Sequence, residues 1–264
     1  MVRSGLSVLV GLIGCLSGVG AFAEGTLDRV KSRQEIKVGV MLSGGPFGAL
    51  NPSDRQPQGL NVDIANEVGK VLGVKVELVS VLPANRIQFL QQGKVDLLVA
   101  NMELNEERGK ILGHVPTPFY KVGGAAIFPK TTSLQSWSDL KSKPVCTSQG
   151  SSYVKPLTEL GADIKAFKSS AESLLALRGG NCIAAVHDST LIEPLQAKNP
   201  EWKDYRLFAE QLNPAPSVIW TRKGDAELQG TLDAAVKGWH RTGWLVEAEK
   251  RNGIKELGPE QFGL

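Results

Sequence analysis

Residues 94–108 read KVDLLVANMELNEER, and within that stretch the chain changes from one kind of structure to another. Val95, Leu97, Leu98 and Val99 form an apolar run of strand length, bounded closely enough to be buried on both faces of a parallel sheet. Asn105 then stands as an N-cap, with Glu106 and Glu107 in the first turn of a helix, where carboxylates complement the positive end of the dipole. Arg108 breaks the pattern. A cation in a first turn is mismatched with the dipole by about 0.3–1 kcal/mol unless an anion lies between them. Two readings are open: a surface arginine paired with a nearby carboxylate, or an anion site at the carboxyl end of a strand, where open α/β sheets bind ligands. A planar guanidinium grips a carboxylate through two parallel hydrogen bonds, so the sharper expectation is a carboxylate site at Arg108.

Upstream, Ile36–Val40 reads as a strand, followed by a loop at Ser43-Gly44-Gly45-Pro46. Asn61–Leu72 reads as a helix, with Val62, Ala65, Val68 and Leu72 at helical spacing and Gly73 as its stop. Lys75–Val81 is a second strand, and Ala84–Gln92 a second helix that Gly93 ends. These elements make one α/β lobe. Downstream, the apolar run Val122–Phe128 leads to a polar break at Pro129–Thr132, read as a crossover, and the alternation repeats. Pro144–Ser148 is a strand, Gln149–Ser152 turns into a helix ending near Leu160, and Ser169 with Glu172 forms a capping box for a helix to Arg178. Cys182–His187 is the next strand, and Asp188 stands at its carboxyl end as Asn101 does in the first lobe. After Asn213–Pro216, a strand at Val218–Trp220 leads to Asp225, expected to cap a helix carrying Leu228, Leu232, Ala235, Val236 and Trp239 on one stripe. A last helix spans Trp244–Arg251. The expected division is 24–129 for lobe one, 130–216 for lobe two, and 217–264 returning to lobe one.

The chain has 264 residues, 42% hydrophobic and 22% charged, which suits a globular α/β protein with one large core or two modest ones. Thirty Lys plus Arg against 27 Asp plus Glu, with no basic block, argue against a nucleic-acid partner. Residues 1–23 carry one charge, Arg3, then a mostly apolar run and Ala21-Phe22-Ala23, the pattern of an export signal cut after Ala23. Leu12-Ile13-Gly14-Cys15 also resembles a bacterial lipobox, which would anchor the protein by lipid at Cys15. Beyond the leader only Cys146 and Cys182 remain. Each begins a short apolar run, and if those runs are neighbouring parallel strands the sulfurs meet; otherwise both are buried free thiols.

In this order, Pro46-Phe47, Gly59–Asp63 (GLNVD), Ala84–Ile87 (ANRI), Gly93–Leu97 (GKVDL), Glu107-Arg108, Pro118–Tyr120, Gln149–Ser152, Asp188 and Arg222–Asp225 resemble the periplasmic solute-binding proteins for polar amino acids of ABC importers. The resemblance spans nearly the whole chain after the leader. It implies a two-lobe periplasmic-binding-protein-like fold of type II, with two crossovers and a ligand cleft between lobes, in a periplasmic monomer that serves an inner-membrane permease. It also implies that Arg108 holds a ligand α-carboxylate and Asp188 its α-ammonium. Asn101 and Met102 then offer amide or backbone contacts, Ser151 and Ser152 meet the carboxylate from lobe two, Phe47 lines the side-chain end and Arg86 stands near the cleft mouth. Glu103 occupies a place where the family usually has Ser or Thr, Gly44 one where some members stack a tyrosine, and Asn61 replaces an aspartate. Glu103 is therefore expected either to share Arg108 or to meet a positive part of the ligand. The same resemblance extends to a periplasmic dehydratase, in which Glu103 would donate a proton, and to sensor or adhesin uses of such a cleft. No GxSxG or HExxH is present, the three histidines are isolated, and no Cys, His and acidic cluster has metal-ligand spacing, so neither cofactor nor metal is expected.

Overall fold

The computed structural model describes residues 25–42 and 45–264. The export signal, its cleavage site, the Cys15 lipobox and Gly44 lie outside the described residues. The Leu97–Val99 strand sits at the centre of a five-stranded sheet ordered Lys75–Ser80, Glu35–Val40, Leu97–Val99, Trp220–Thr221, Gly113–His114. The first three strands are parallel, so each link between them must cross over a face of the sheet. The Leu60–Leu72 helix makes one such link and ends at Gly73 in a left-handed conformation, φ 69°. The Arg86–Gln91 helix makes the next. Apolar side chains of Ile36, Val38, Val40, Leu97 and Val99 pack with Leu60, Ile64 and Val68, and with Leu228, Leu232 and Val236 from the Ala226–Arg241 helix near the end of the chain. The returning chain thus completes both the sheet and the core of lobe one.

A second sheet runs Tyr205–Leu207, Tyr120–Pro129, Ala184–Asp188, Pro144–Ser148, Asp163–Phe167. The pairings of Ala184–Asp188 with Pro144–Ser148, and of that strand with Asp163–Phe167, are parallel; those of Tyr120–Pro129 are antiparallel. This corrects the crossover expected at Pro129–Thr132. The chain joins the second sheet well before Pro129, because Gly124–Ile127 already pair with Ala185–Asp188. Leu212–Ser217 returns beside Tyr120–Gly124 as an antiparallel partner, so the two passages between lobes lie side by side. Pro129 ends its strand as a residue without an N–H is permitted to do.

Local signals fared unevenly. The Asn105 side chain caps its helix, accepting from the Arg108 backbone N–H at 2.9 Å. Ser169 accepts from Glu172 N–H at 3.2 Å, but Glu172 reaches back to Lys168 N–H, one residue past the cap, so the box is not closed. Asp225 does occupy the N-cap position, yet its carboxylate accepts from Thr26 Oγ1 at 2.7 and 2.8 Å and caps nothing. The Asp163–Phe167 strand and the Ser189–Lys198 helix were not expected. The first is a short, half-exposed edge strand of which only Ile164 and Phe167 reach the core, and the second contains Pro194.

Cys146 and Cys182 form a disulfide, with Cα atoms 5.7 Å apart. The two parallel strands are neighbours, with Ala185 opposite Cys146, and Cys182 stands two residues before the start of its strand. Closing a loop of 36 residues stabilises the fold by about 4 kcal/mol in the chain-entropy description. Protein matured in an oxidising compartment should show no thiol when denatured without reductant, and reduction should lower its melting temperature by several degrees. Stoichiometric thiol labelling of the unreduced protein would contradict the bridge.

Candidate functional site

The strand ends of the two sheets face each other. From lobe one come Arg86 at its helix start, then Asn101 and Glu103 beyond the Leu97–Val99 strand, and Arg108 in the helix that Asn105 caps. From lobe two come Gly150–Tyr153, which follow the Pro144–Ser148 strand, and Asp188, which ends its own. Between them lies a cavity of about 40 Å³ whose lining includes Arg86, Asn101, Glu103, Ser148, Ser151, Ser152, Tyr153 and Asp188.

Local backbone geometry sets these positions. Asn101 sits at φ 47°, a left-handed conformation that asparagine tolerates better than most residues. The carbonyls of Ala100 and Asn101 are thereby turned toward Arg86, whose Nη1 donates to them at 2.5 and 2.6 Å. Asn61, buried behind the strand end, donates to Asn101 Oδ1 and fixes the amide. The Asn101 Nδ2 then donates across the cleft to Asp188 Oδ2 at 3.1 Å.

Arg108 is 6% exposed, and both terminal nitrogens of its guanidinium are engaged. Nη1 donates to the Glu103 carbonyl at 2.8 Å, to Glu103 Oε2 at 3.2 Å and to Ser152 Oγ at 2.7 Å, while Nη2 donates to Gly150 O at 3.1 Å. Glu103 is 3% exposed and also accepts from Ser152 Oγ. The anion that offsets the first-turn mismatch is therefore supplied by the chain itself, a correction to the expectation that a ligand would supply it. Of the two readings open for Arg108, the structure combines features of both: it is paired with a neighbouring carboxylate, and it lies in a cleft.

Arg86 Nη2 donates to the same Gly150 carbonyl at 3.3 Å, so two guanidiniums of lobe one converge on one peptide oxygen of lobe two. Gly150 is needed there. Its φ is +73°, and a Cβ would lie 2.5 Å from the Pro83 carbonyl oxygen.

Charge and burial are closely matched. Burial opposes ionisation of Glu103, but Arg108, the Ser152 hydroxyl and Arg86 outweigh it and hold the carboxyl below its ordinary range. Arg86 is lowered to about 10 by burial and then by Arg108, and stays charged at neutral pH. Asp188 is pushed up to about 7 by withdrawal from water and by Glu103, against the pull of Asn101, Tyr153 and Arg86. His187 is lowered to about 4 by burial alone and bonds Ser173 Oγ at 2.8 Å, so it forms no triad with Ser151.

The structure brings Arg86, Asn101, Glu103, Arg108, Ser151, Ser152 and Asp188 to the cleft, and two expected residues elsewhere. Phe47 packs edge-on against Tyr120 at 5.2 Å inside the lobe-one core. Met102 is 1% exposed among apolar side chains, and its carbonyl accepts from Trp220 Nε1 at 2.7 Å. Core packing and an indole donor hold them there. Tyr153 and Ser148 were missed. Tyr153 immediately follows the expected Ser151-Ser152 pair, while Ser148 is the last residue of its strand. Ser148 Oγ and Arg86 Nε are buried without hydrogen-bond partners, and both residues line the cavity. Among the described residues no group of three His, Cys, Asp or Glu side chains is placed to hold a metal ion.

A family model described as bacterial extracellular solute-binding proteins, family 3, matches residues 36–253. The ABC transporter glutamine-binding protein of Bacillus subtilis (strain 168) is 28% identical over 232 residues, covering 86% of this chain and 84% of that one. A solved ancestral arginine-binding protein bound to glutamine superposes with a TM-score of 0.77 at 29% identity, over 83% of this chain and 97% of the other. The cysteine-binding protein from Campylobacter jejuni gives a TM-score of 0.79 at 25% identity, over 86% and 92%.

The close approach at Gly150 yields a direct check. Gly150→Ala places a side chain at positive φ, a cost of about 1–2 kcal/mol, and forces Pro83 away. The variant should keep the parent's far-UV circular dichroism yet scatter X-rays as a less compact particle. A scattering curve identical to the parent's would contradict the described packing of the lobes.

Proposed function

The chain belongs to the bacterial extracellular solute-binding proteins, family 3, and on that footing we propose that it captures a small amino acid or related carboxylate between its lobes and delivers it to the membrane permease of an ABC importer. What supports this reading is a guanidinium of lobe one and a carboxyl of lobe two at the same interlobe seam, where Arg108 reaches Ser152 and Asp188 receives Asn101. A guanidinium suits a carboxylate and an aspartate suits an ammonium, so a zwitterion satisfies both at once. Ser152 and Asn101 add neutral hydrogen-bonding groups on either side. An incoming carboxylate competes with Glu103 for Arg108, so Glu103 sets how well a given ligand fits.

A cavity of about 40 Å³ holds a few waters at most, less than an amino acid. The lobes must therefore part for entry. The adjacent passages at Tyr120–Gly124 and Leu212–Ser217 are the place for that hinge, since two paired strands bend together more easily than a packed core deforms. Export through the 1–23 leader, a periplasmic site of action and a monomeric state complete the proposal.

A thermal-shift screen of the mature protein with the standard L-amino acids and small dicarboxylates tests it. A ligand at a hundred times its Kd stabilises the folded state by about 2.7 kcal/mol. Arg108→Ala should leave the fold intact and weaken that ligand by about 2–5 kcal/mol, and Arg108→Lys should recover only part, because an ammonium lacks the fork. No shift with any compound, or parent-like affinity in Arg108→Ala, would contradict the reading.

A further inference from the structure

No role falls to Tyr153 from the family resemblance, yet its hydroxyl lies at the centre of the cleft. The residue is 2% exposed, and its ring lies over Gly124, where a Cβ would come within 2.9 Å of it. The hydroxyl oxygen is 3.2 Å from Glu103 Oε1 and 2.9 Å from Asp188 Oδ1. A phenol carries one proton. It can donate to one of these carboxyls, and the other contact becomes a hydrogen bond only when that carboxyl carries a proton of its own.

Glu103 is the member held as an anion, by Arg108 at 3.2 Å and by the Ser152 hydroxyl. Asp188 has no ion pair among the described residues; its second oxygen accepts from the neutral Asn101 amide. The groups facing Asp188 can be taken element by element. Lobe one presents Asn101 and Glu103 from beyond its strand end and Arg86 from a helix start, with Arg108 behind Glu103 as its ion-pair partner. Lobe two presents Tyr153; His187 precedes Asp188 in its own strand, Gly124 pairs with it, and the Ser189–Lys198 helix begins at it, its N-terminal end favouring the anion but with no cap bond from the Asp188 side chain. The two guanidiniums are the positive groups in this set. Arg108 is taken up by Glu103, and Arg86 by the carbonyls of Ala100 and Asn101. His187 is turned to Ser173. Two carboxyls that share one hydroxyl, with a single guanidinium paired to one of them, leave the other favoured as the neutral acid. The direction of the Asp188 acidity, pushed up to about 7, agrees.

We propose that Tyr153 is a ligand-site residue, and that its hydroxyl with Glu103 and Asp188 forms a shared-proton site that a primary ammonium replaces, so that capture of an amine-bearing ligand expels a proton. This rests on the cleft being an amino-acid site. The balance is simple: the Asp188 O–H bond breaks, its proton passes to solvent, and the carboxylate left behind accepts from an ammonium N–H. Three ammonium hydrogens are enough for Asp188, Glu103 and the Tyr153 oxygen. Because the ligand-free site holds the proton and the ligand-bound site does not, affinity for amines falls as pH drops through neutrality. Well below it the fall is about tenfold per pH unit. An analogue with hydroxyl in place of the amine needs no ionised Asp188, and its affinity should be flat over the same range.

The test is calorimetric titration with the standard L-amino acid that gives the largest thermal shift, between about pH 6 and 8, in phosphate and in Tris. The difference in apparent heat between the two buffers counts the protons released. Release should approach one per ligand at the acid end and vanish at the alkaline end. In Glu103→Gln, which removes the like charge from Asp188, the release should shrink across the whole range. Tyr153→Phe keeps the ring over Gly124 and should weaken the amino acid several-fold, with circular dichroism confirming the fold. Binding without proton exchange at any pH, or parent affinity in Tyr153→Phe, would overturn the inference and leave the amino-acid site intact. Failure of every amino acid to bind would instead remove the site reading, and the inference with it.

Discussion

A buried guanidinium must find acceptors for its N–H groups without help from bulk water, and Arg108 meets that demand by drawing on both lobes. Glu103 gives it a carboxylate and a carbonyl from its own lobe, while Ser152 and Gly150 give it a hydroxyl and a carbonyl from the other. Removing any acceptor would leave donors unsatisfied, at about 1–3 kcal/mol for each. The neighbouring features follow from this. Asn105 fixes the turn that aims Arg108, the left-handed Asn101 directs two carbonyls to the second guanidinium at Arg86, and Gly150 lets lobe two come close enough to be shared.

The residues that join the lobes across the cleft are polar, whereas each sheet has apolar clusters of its own. Ile36, Leu97 and Leu232 belong to one and Ile127, Cys146 and Ala185 to another. Apolar burial holds each lobe together; hydrogen bonds and charge hold the lobes to each other. Such contacts are strong when dry and cost little to exchange for water, which is what a cleft that opens and closes requires. They also impose a threshold, because a ligand gains only the difference between its own contacts and those that Glu103, Ser152 and Tyr153 already make.

Much of this was legible in the sequence where the signal is local. The apolar run at 95–99, the Asn105 cap and the stop at Gly73 depend on residues a few positions apart, and all three appear in the structure. Features that depend on tertiary packing were not legible. Phe47 and Met102 have the residue types of a ligand pocket but are claimed by the core and by Trp220. Tyr153 shows no periodic or motif signal, and its hydroxyl gains meaning only from two carboxyls that the fold delivers from far along the chain. A polar, proline-marked break at Pro129–Thr132 is a stronger local signal than the silent transfer of Tyr120–Gly124 from one lobe to the other, so the sequence points to a crossover later than the one the fold uses.

The central claim is that one ligand molecule is held between the lobes by opposite charges from each. A crystal structure of the mature protein with the amino acid it binds most tightly tests this most directly. The account predicts that the ligand carboxylate lies within hydrogen-bond distance of the Arg108 guanidinium and its ammonium within reach of Asp188, in the same molecule. A ligand that touches one lobe only, or one bound in the cleft with Arg108 still paired to Glu103 and no carboxylate near it, would contradict the account.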